Sequence, residues 1–158
     1  MPVEEPPEGT TVGARPFDVQ LKDLDGQLHR LKELKGHSVV HLVFWASWCV
    51  PCIQEIPAIR EAYAKYHDRG LEVLAVVLNI DQTPDDARAV ARDYKINYPV
   101  LWDERGLARE RYRVAAIPQN FLIDREGIIR YAGSALPADY DALVQNLLQR
   151  GGEAKTSR

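Results

Sequence analysis

Alternation of apolar and polar residues marks the first part of the chain, and unbroken apolar runs follow it. Phe17, Val19 and Leu21 alternate with polar neighbours, Asp25-Gly26 has turn chemistry, and Leu28 follows, which predicts a β-hairpin. Leu31 to Leu34 reads as a short helical turn closed near Gly36. Val39 to Phe44 and Val73 to Leu78 are nearly continuous, valine-rich runs, and each predicts a strand buried on both faces. Between them Ile53, Ile56, Ile59, Tyr63 and Tyr66 recur at helical spacing and stop at Gly70. Thr83-Pro84-Asp85-Asp86 has the form of a helix start, with Thr as cap, Pro at the first position and acids on the first turn. Ala87, Val90, Ala91 and Tyr94 give that helix its apolar face. Tyr98 to Trp102 predicts a third strand and Gly106 to Arg113 a short helix. Phe121 to Ile123 and Ile128 to Tyr131 flank the turn Asp124-Arg125-Glu126-Gly127, and Tyr140, Leu143, Val144, Leu147 and Leu148 form the face of a terminal helix.

The order is therefore a hairpin, then β-α-β-α-β-α, then β-β-α. Buried strands alternating with helices predict an α/β fold, with helices on both faces of one sheet and right-handed crossovers. Residues 1–12, rich in Pro and Glu and without periodicity, are expected to be a flexible tail. Residues 13–150 are expected to form the domain, and 151–158 a frayed end.

Composition narrows the function classes. The chain has 158 residues, 46% apolar and 27% charged, which is ordinary globular composition. The net charge of −3 excludes a broad basic footprint for nucleic acid. No stretch approaches the roughly 18 uncharged apolar residues of a membrane span. The start lacks a charged stretch followed by an apolar one, so no secretory signal is expected in it.

The two cysteines, Cys49 and Cys52, are three positions apart. A bridge between them closes a tiny loop and removes little entropy from the unfolded chain, so the pair is not a stability device. Cys-x-x-Cys fits reversible dithiol/disulfide exchange or half of a zinc site. A zinc site needs a second pair of ligands. None of His29, His37, His41 and His67 supplies one after the cysteines, so no metal is expected. His41, inside an apolar run, reads as a satisfied interior histidine. Phe44, Trp45 and Trp102 read as core. Asp81, Asp85 and Asp86 read as helix-capping acids rather than calcium ligands.

The cysteines follow a buried strand and open a helix. Unpaired N–H groups and the helix dipole favour a thiolate there, so Cys49 is expected to be acidic and to act as the accessible nucleophile. Cys52, one turn on and facing inward, is expected to resolve the mixed disulfide.

The stretch Trp48-Cys49-Val50-Pro51-Cys52 resembles the active site of the thioredoxin fold. The longer context FWASWCVPCIQEIP, with Pro57 after the cysteines and Ile117-Pro118 ahead of the last hairpin, is similar to the TlpA/ResA-like thiol-disulfide oxidoreductases. The resemblance spans roughly residues 12 to 150. It implies a thioredoxin-like fold with a central mixed sheet and an N-terminal hairpin. It also implies a cis Pro118 facing the sulfurs, and a substrate segment held by Ile117 and Pro118 as an added strand, with Trp48 and Pro51 at the contact surface. Thioredoxin has a buried Asp before the cysteines and a Lys in the next strand; the matching positions here are Val43 and Val77. ResA-like proteins carry a Glu where this chain has Glu55, so Glu55 is expected to take and return the proton of Cys52. The alternative for Glu55 is an ordinary solvated helix residue.

Val50-Pro51 adds neither charge nor a side-chain donor to the dithiol, so a reductase is expected rather than an oxidase. No cofactor is required. The expected partners are a disulfide-containing substrate protein and an upstream dithiol donor protein, and the chain is expected to act as a monomer. TlpA/ResA-like proteins usually work outside the cytoplasm, which implies a periplasmic or otherwise extracytoplasmic site, with a cytoplasmic one as the alternative. Two rival functions stand beside this reading. A thiol peroxidase would explain the rhythm of residues 78–103. A non-catalytic module would use the cysteines for metal or its edge for partners.

Overall fold

A computed structural model describes residues 5–156, and the side chains of 5–150. The elements are β1 (Gln20–Lys22), β2 (Leu28–Arg30), a 3-10 turn (Leu31–Leu34), β3 (Val39–Trp45), α1 (Val50–Tyr66), β4 (Leu71–Leu78), α2 (Pro84–Asp93), β5 (Val100–Asp103), α3 (Leu107–Arg111), β6 (Gln119–Ile123), β7 (Ile129–Gly133) and α4 (Tyr140–Thr156). β1 and β2 form the antiparallel hairpin, and the other strands form one sheet ordered β5-β4-β3-β6-β7. β3, β4 and β5 are parallel, and β6 and β7 run antiparallel to them. The sheet is thus mixed and the fold thioredoxin-like.

β3 is buried along its whole length because it is central, with β4 on one side and β6 on the other. Alternate residues serve two cores. Val39, Val43 and Trp45 meet α1 and α4, with Ala87 of α2 at the same face. Val40, Leu42 and Phe44 meet Ala108 of α3 and Tyr112 just after it, together with Ala14, Val19 and Leu31 of the N-terminal region. Helices therefore lie on both faces, but the second is closed largely by the chain ahead of β3.

Several boundaries shift for local reasons. Gly70 takes a left-handed φ of 110°, which turns the chain straight into β4 two residues earlier than the apolar run predicts. β5 starts after Pro99, which has no N–H to give a ladder, while the Tyr98 ring enters the core. α3 is shorter than predicted: the buried Asp103 carboxylate accepts the N–H groups of Ala108 and Arg109, and Gly106 stands outside the helix with φ 71°. α4 continues through Gly151-Gly152 to Thr156, where a frayed end is expected; a glycine weakens a helix by about 1 kcal/mol without ending it.

Residues 1–4 of the expected tail lie outside the described residues. From Glu5 onward the chain is engaged. Gly9 donates to the Arg15 carbonyl (2.8 Å), Arg15 to that of Pro7 (3.0 Å) and Gly13 to that of Ile129 (2.8 Å). The Glu5 carboxylate lies 3.1 Å from Lys35 Nζ and 3.4 Å from Arg15. Composition does not mark these contacts, some of which lie within the segment and others as far away as Ile129.

One polar side chain interrupts the apolar β3. His41 is fully buried, with Nδ1 2.9 Å from the Tyr140 hydroxyl and Nε2 2.8 Å from Asn120 Oδ1. Burial pushes its pKa down to about 4, so it is neutral at pH 7. The unfolded chain takes up this proton below about pH 6.5, whereas the folded chain refuses it until about pH 4. The stability is therefore whole above pH 6.5 and lost as pH falls. Urea unfolding is expected to show a loss of about 3 kcal/mol from this group between pH 7 and 4, a slope that His41→Gln removes.

α2 carries the capping box the sequence predicts. Thr83 accepts the N–H of Asp86, and the Asp86 carboxylate accepts that of Thr83. Thr83→Ala is expected to lower the unfolding free energy by about 1 kcal/mol; an unchanged urea midpoint would show that the box contributes nothing.

Candidate active site

Ala46-Ser47-Trp48-Cys49 connects the end of β3 to α1. Cys49 is the N-cap residue of α1 in extended backbone, and its Sγ accepts the N–H of Cys52 at 3.3 Å. Pro51 lies in the first turn, where its missing N–H costs nothing. The two cysteines form a disulfide with Cα atoms 5.2 Å apart, within the ordinary range.

Exposure does not separate the two cysteine residues in this oxidised state: Cys49 is 6% exposed and Cys52 4%. The exposed surface of the turn belongs to Trp48 (51%) and Val50 (64%). What distinguishes the cysteines is their surroundings. Cys49 Sγ lies 3.8 Å from the carbonyl oxygen of Ile117, whereas Cys52 faces inward toward Glu55. The Ile117–Pro118 peptide bond is cis, and it brings Ile117 to the first sulfur from the start of β6.

Residues after β4 hold the turn from the other side, and sequence reasoning did not assign them to the site. Gln82 Oε1 accepts the Ser47 N–H at 2.9 Å, while its amide donates to the Leu78 carbonyl at 2.6 Å. The Trp48 indole N–H donates to the Ile80 carbonyl at 2.8 Å. Between them Asp81 adopts a left-handed φ of 52° and caps no helix, unlike Asp86. The sequence offers no pattern for these contacts, because they join residues about 32 to 35 positions apart.

Glu55 is half-buried rather than a solvated helix residue. It lines a small cavity with Cys52, Val43, Trp45, Ile59 and Tyr98. Its Oε1 accepts the Asn120 side-chain amide at 3.1 Å and its Oε2 the Leu136 N–H at 3.0 Å. Burial raises its pKa, and these two donors partly oppose the rise. Asn120 is the second residue that sequence reasoning missed. It stands opposite Val43 in the β3–β6 register, next to a position already singled out as the site of thioredoxin's buried Asp.

The AhpC/TSA family profile matches residues 12–132. The chain is 35% identical over 120 residues to the thiol-disulfide oxidoreductase ResA of Bacillus thuringiensis subsp. konkukian (strain 97-27), covering 76% of this chain and 68% of that protein. It is 33% identical over 122 residues to the thioredoxin-like protein YneN of Bacillus subtilis (strain 168), covering 77% and 71%. Among solved structures it is similar to a Chlorobium tepidum protein assigned as thiol:disulfide interchange protein DsbE. The TM-score is 0.77 with 35% identity, and the match covers 91% of this chain and all of that one. A peroxidase is not favoured: these names denote disulfide exchange or thioredoxin likeness, and Trp45-Ala46-Ser47-Trp48 offers no Thr to position peroxide. A metal module gains no support from His41, whose two ring nitrogens are both engaged. The chain belongs to the AhpC/TSA family, and within the thioredoxin fold it is a ResA-like thiol-disulfide oxidoreductase.

Proposed function

We propose that residues 13–150 act as a reductase of protein disulfides, with Cys49 attacking, Cys52 resolving and Glu55 carrying the proton. The observation that supports this most is the placement of Cys49 Sγ as the cap of α1, where the Cys52 N–H points at it. Once reduced, that sulfur is favoured as thiolate by the helix start. It attacks one sulfur of a substrate disulfide; the other substrate sulfur leaves as thiolate and takes a proton from solvent. Cys52 then gives its proton to the Glu55 carboxylate and attacks Cys49 Sγ. The Cys49–Cys52 disulfide forms, and the second substrate sulfur departs with the proton from Glu55. Two electrons have passed from the dithiol to the substrate, and a dithiol donor protein returns them.

Ile117 and Pro118 hold the substrate chain on this reading, beside the contact surface of Trp48, Val50 and Pro51. Val50-Pro51 brings no charge that would stabilise the dithiol, which supports the reducing direction. The protein acts as a monomer, and the resemblance to TlpA/ResA-like proteins supports an extracytoplasmic compartment. None of its described helices is long and apolar enough to cross a membrane.

Insulin reduction at a fixed dithiothreitol concentration, together with the midpoint potential in redox buffers, tests the proposal. Cys49→Ser is expected to abolish turnover and Cys52→Ser to accumulate a mixed disulfide. Glu55→Gln is expected to slow turnover by roughly a hundredfold, at the low end for a proton carrier. A potential of about −270 mV or below supports a reductase, and one of about −120 mV overturns that direction. Full turnover by Cys49→Ser would remove the attacking role.

A further inference from the structure

We infer that Asn120 and His41 are positioning residues for Glu55: a buried chain of hydrogen bonds from Tyr140 through His41 and Asn120 fixes an N–H donor on the carboxylate and so tunes its proton exchange with Cys52. The inference rests on the role given to Glu55 above.

Four elements meet in this chain: α4 gives Tyr140, β3 gives His41, β6 gives Asn120 and α1 gives Glu55. His41 and Asn120 are both fully buried. Its direction follows from the atoms. Asn120 Oδ1 can only accept, so the His41 Nε2 at 2.8 Å carries the hydrogen. Neutral His41 then has a bare Nδ1, which accepts the Tyr140 hydroxyl at 2.9 Å. Asn120 is left with its amide nitrogen toward Glu55 Oε1, at 3.1 Å. Each donor in the chain points toward the carboxylate. Rotating the Asn120 amide by half a turn would set its oxygen against the carboxylate, a repulsive contact in a dry site, and would require the other tautomer of His41. The carboxylate and the Nε2–H tautomer of His41 together fix the orientation of Asn120, and Asn120 holds the charged form of Glu55.

The other groups facing Glu55 leave this role open to Asn120. Tyr98, ahead of β5, and Tyr140 are held neutral by burial, and the Glu55 charge itself adds to that. Asp141, the next residue of α4, is exposed and lies 2.7 Å from Lys65 Nζ. Arg60 lies further along α1 and makes no ion pair with Glu55 among the described residues. The second donor to the carboxylate is the Leu136 backbone N–H, which no side-chain substitution removes. Asn120 also lies two residues beyond Pro118, so one strand carries both the substrate-facing bend and the group that steadies the proton carrier.

The test follows Glu55 directly, by carbon NMR titration of labelled glutamate carboxyls, with Glu55→Gln giving the assignment. The pH–rate profile of insulin reduction is recorded beside it. Asn120→Leu and His41→Leu are each expected to make Glu55 about tenfold weaker as an acid and to move the Glu55-dependent limb of the profile to higher pH by the same amount. In the Glu55→Gln background Asn120→Leu should leave the profile where it is, an outcome a merely structural role would not give. If either variant fails to fold, the unmodified protein answers: the Asn120 side-chain amide signals should follow the Glu55 titration, and nitrogen NMR should find His41 as the Nε2–H tautomer. A Glu55 titration unmoved in both variants, or the opposite tautomer, overturns the inference while Glu55 keeps its role. A profile unchanged by Glu55→Gln overturns the proton-carrier reading itself, and the proposed tuning with it.

Discussion

A helix cannot bond its own first N–H groups, and in α1 a sulfur takes one of them. On the proposed mechanism Cys49 is at once the cap that starts the helix and the residue that attacks, so a backbone requirement fixes the position of the chemistry. That requirement places demands on both neighbours. β3 delivers the turn from the middle of the sheet, paired with β4 from Val39 to Trp45 and with β6 from Val40 to Phe44. The loop after β4 then pins Ser47 through Gln82 and Trp48 through Ile80. The exposed sulfur-bearing turn is thereby as well held as a core segment.

The second demand is for a proton carrier behind the resolving cysteine. A carboxylate is costly to bury alone, and the strand position used for it in thioredoxin is Val43 here. The polar groups beside that position are Glu55 on α1, the proposed carrier, and Asn120 directly across the ladder from Val43. Glu55 keeps an elevated pKa from burial, while two N–H donors limit the rise. A group balanced between desolvation and hydrogen bonding can be carboxylate when Cys52 must lose a proton and acid when the substrate must gain one.

Most of the architecture was legible in the sequence because it rests on local rules. Continuous apolar runs mark β3 and β4, Thr83-Pro84 opens α2, and Asp25-Gly26 turns the hairpin. Cys49, Cys52 and the cis Pro118 were legible through the motif and the resemblance that it carries. What escaped were contacts between residues far apart: the docking of residues 5–15, the Gln82 clamp, and Asn120. Asn120 reads as one polar residue at a strand start, and nothing nearby marks it as facing Glu55, 65 positions earlier. His41 was read as a satisfied interior residue, and it is one, but the identity of its partners is a tertiary fact.

The N-terminal region bears on recognition as well as on the core. On one edge of the sheet, Leu24 donates to the Val100 carbonyl of β5 at 3.1 Å, and Asp23 bridges to Leu101. On the other, Gly13 and Ala14 exchange hydrogen bonds with Ile129 at the start of β7. Each edge is thus partly occupied by the protein's own chain, which disfavours pairing with a second copy. The Ile117 carbonyl is different. Among the described residues it accepts no backbone N–H, and Cys49 Sγ lies 3.8 Å from it. The proposed function places an extended substrate segment there, beside the sulfur rather than at the sheet edges. On that reading, the hairpin and the segment before it leave the Ile117 carbonyl as the main-chain acceptor nearest the sulfur.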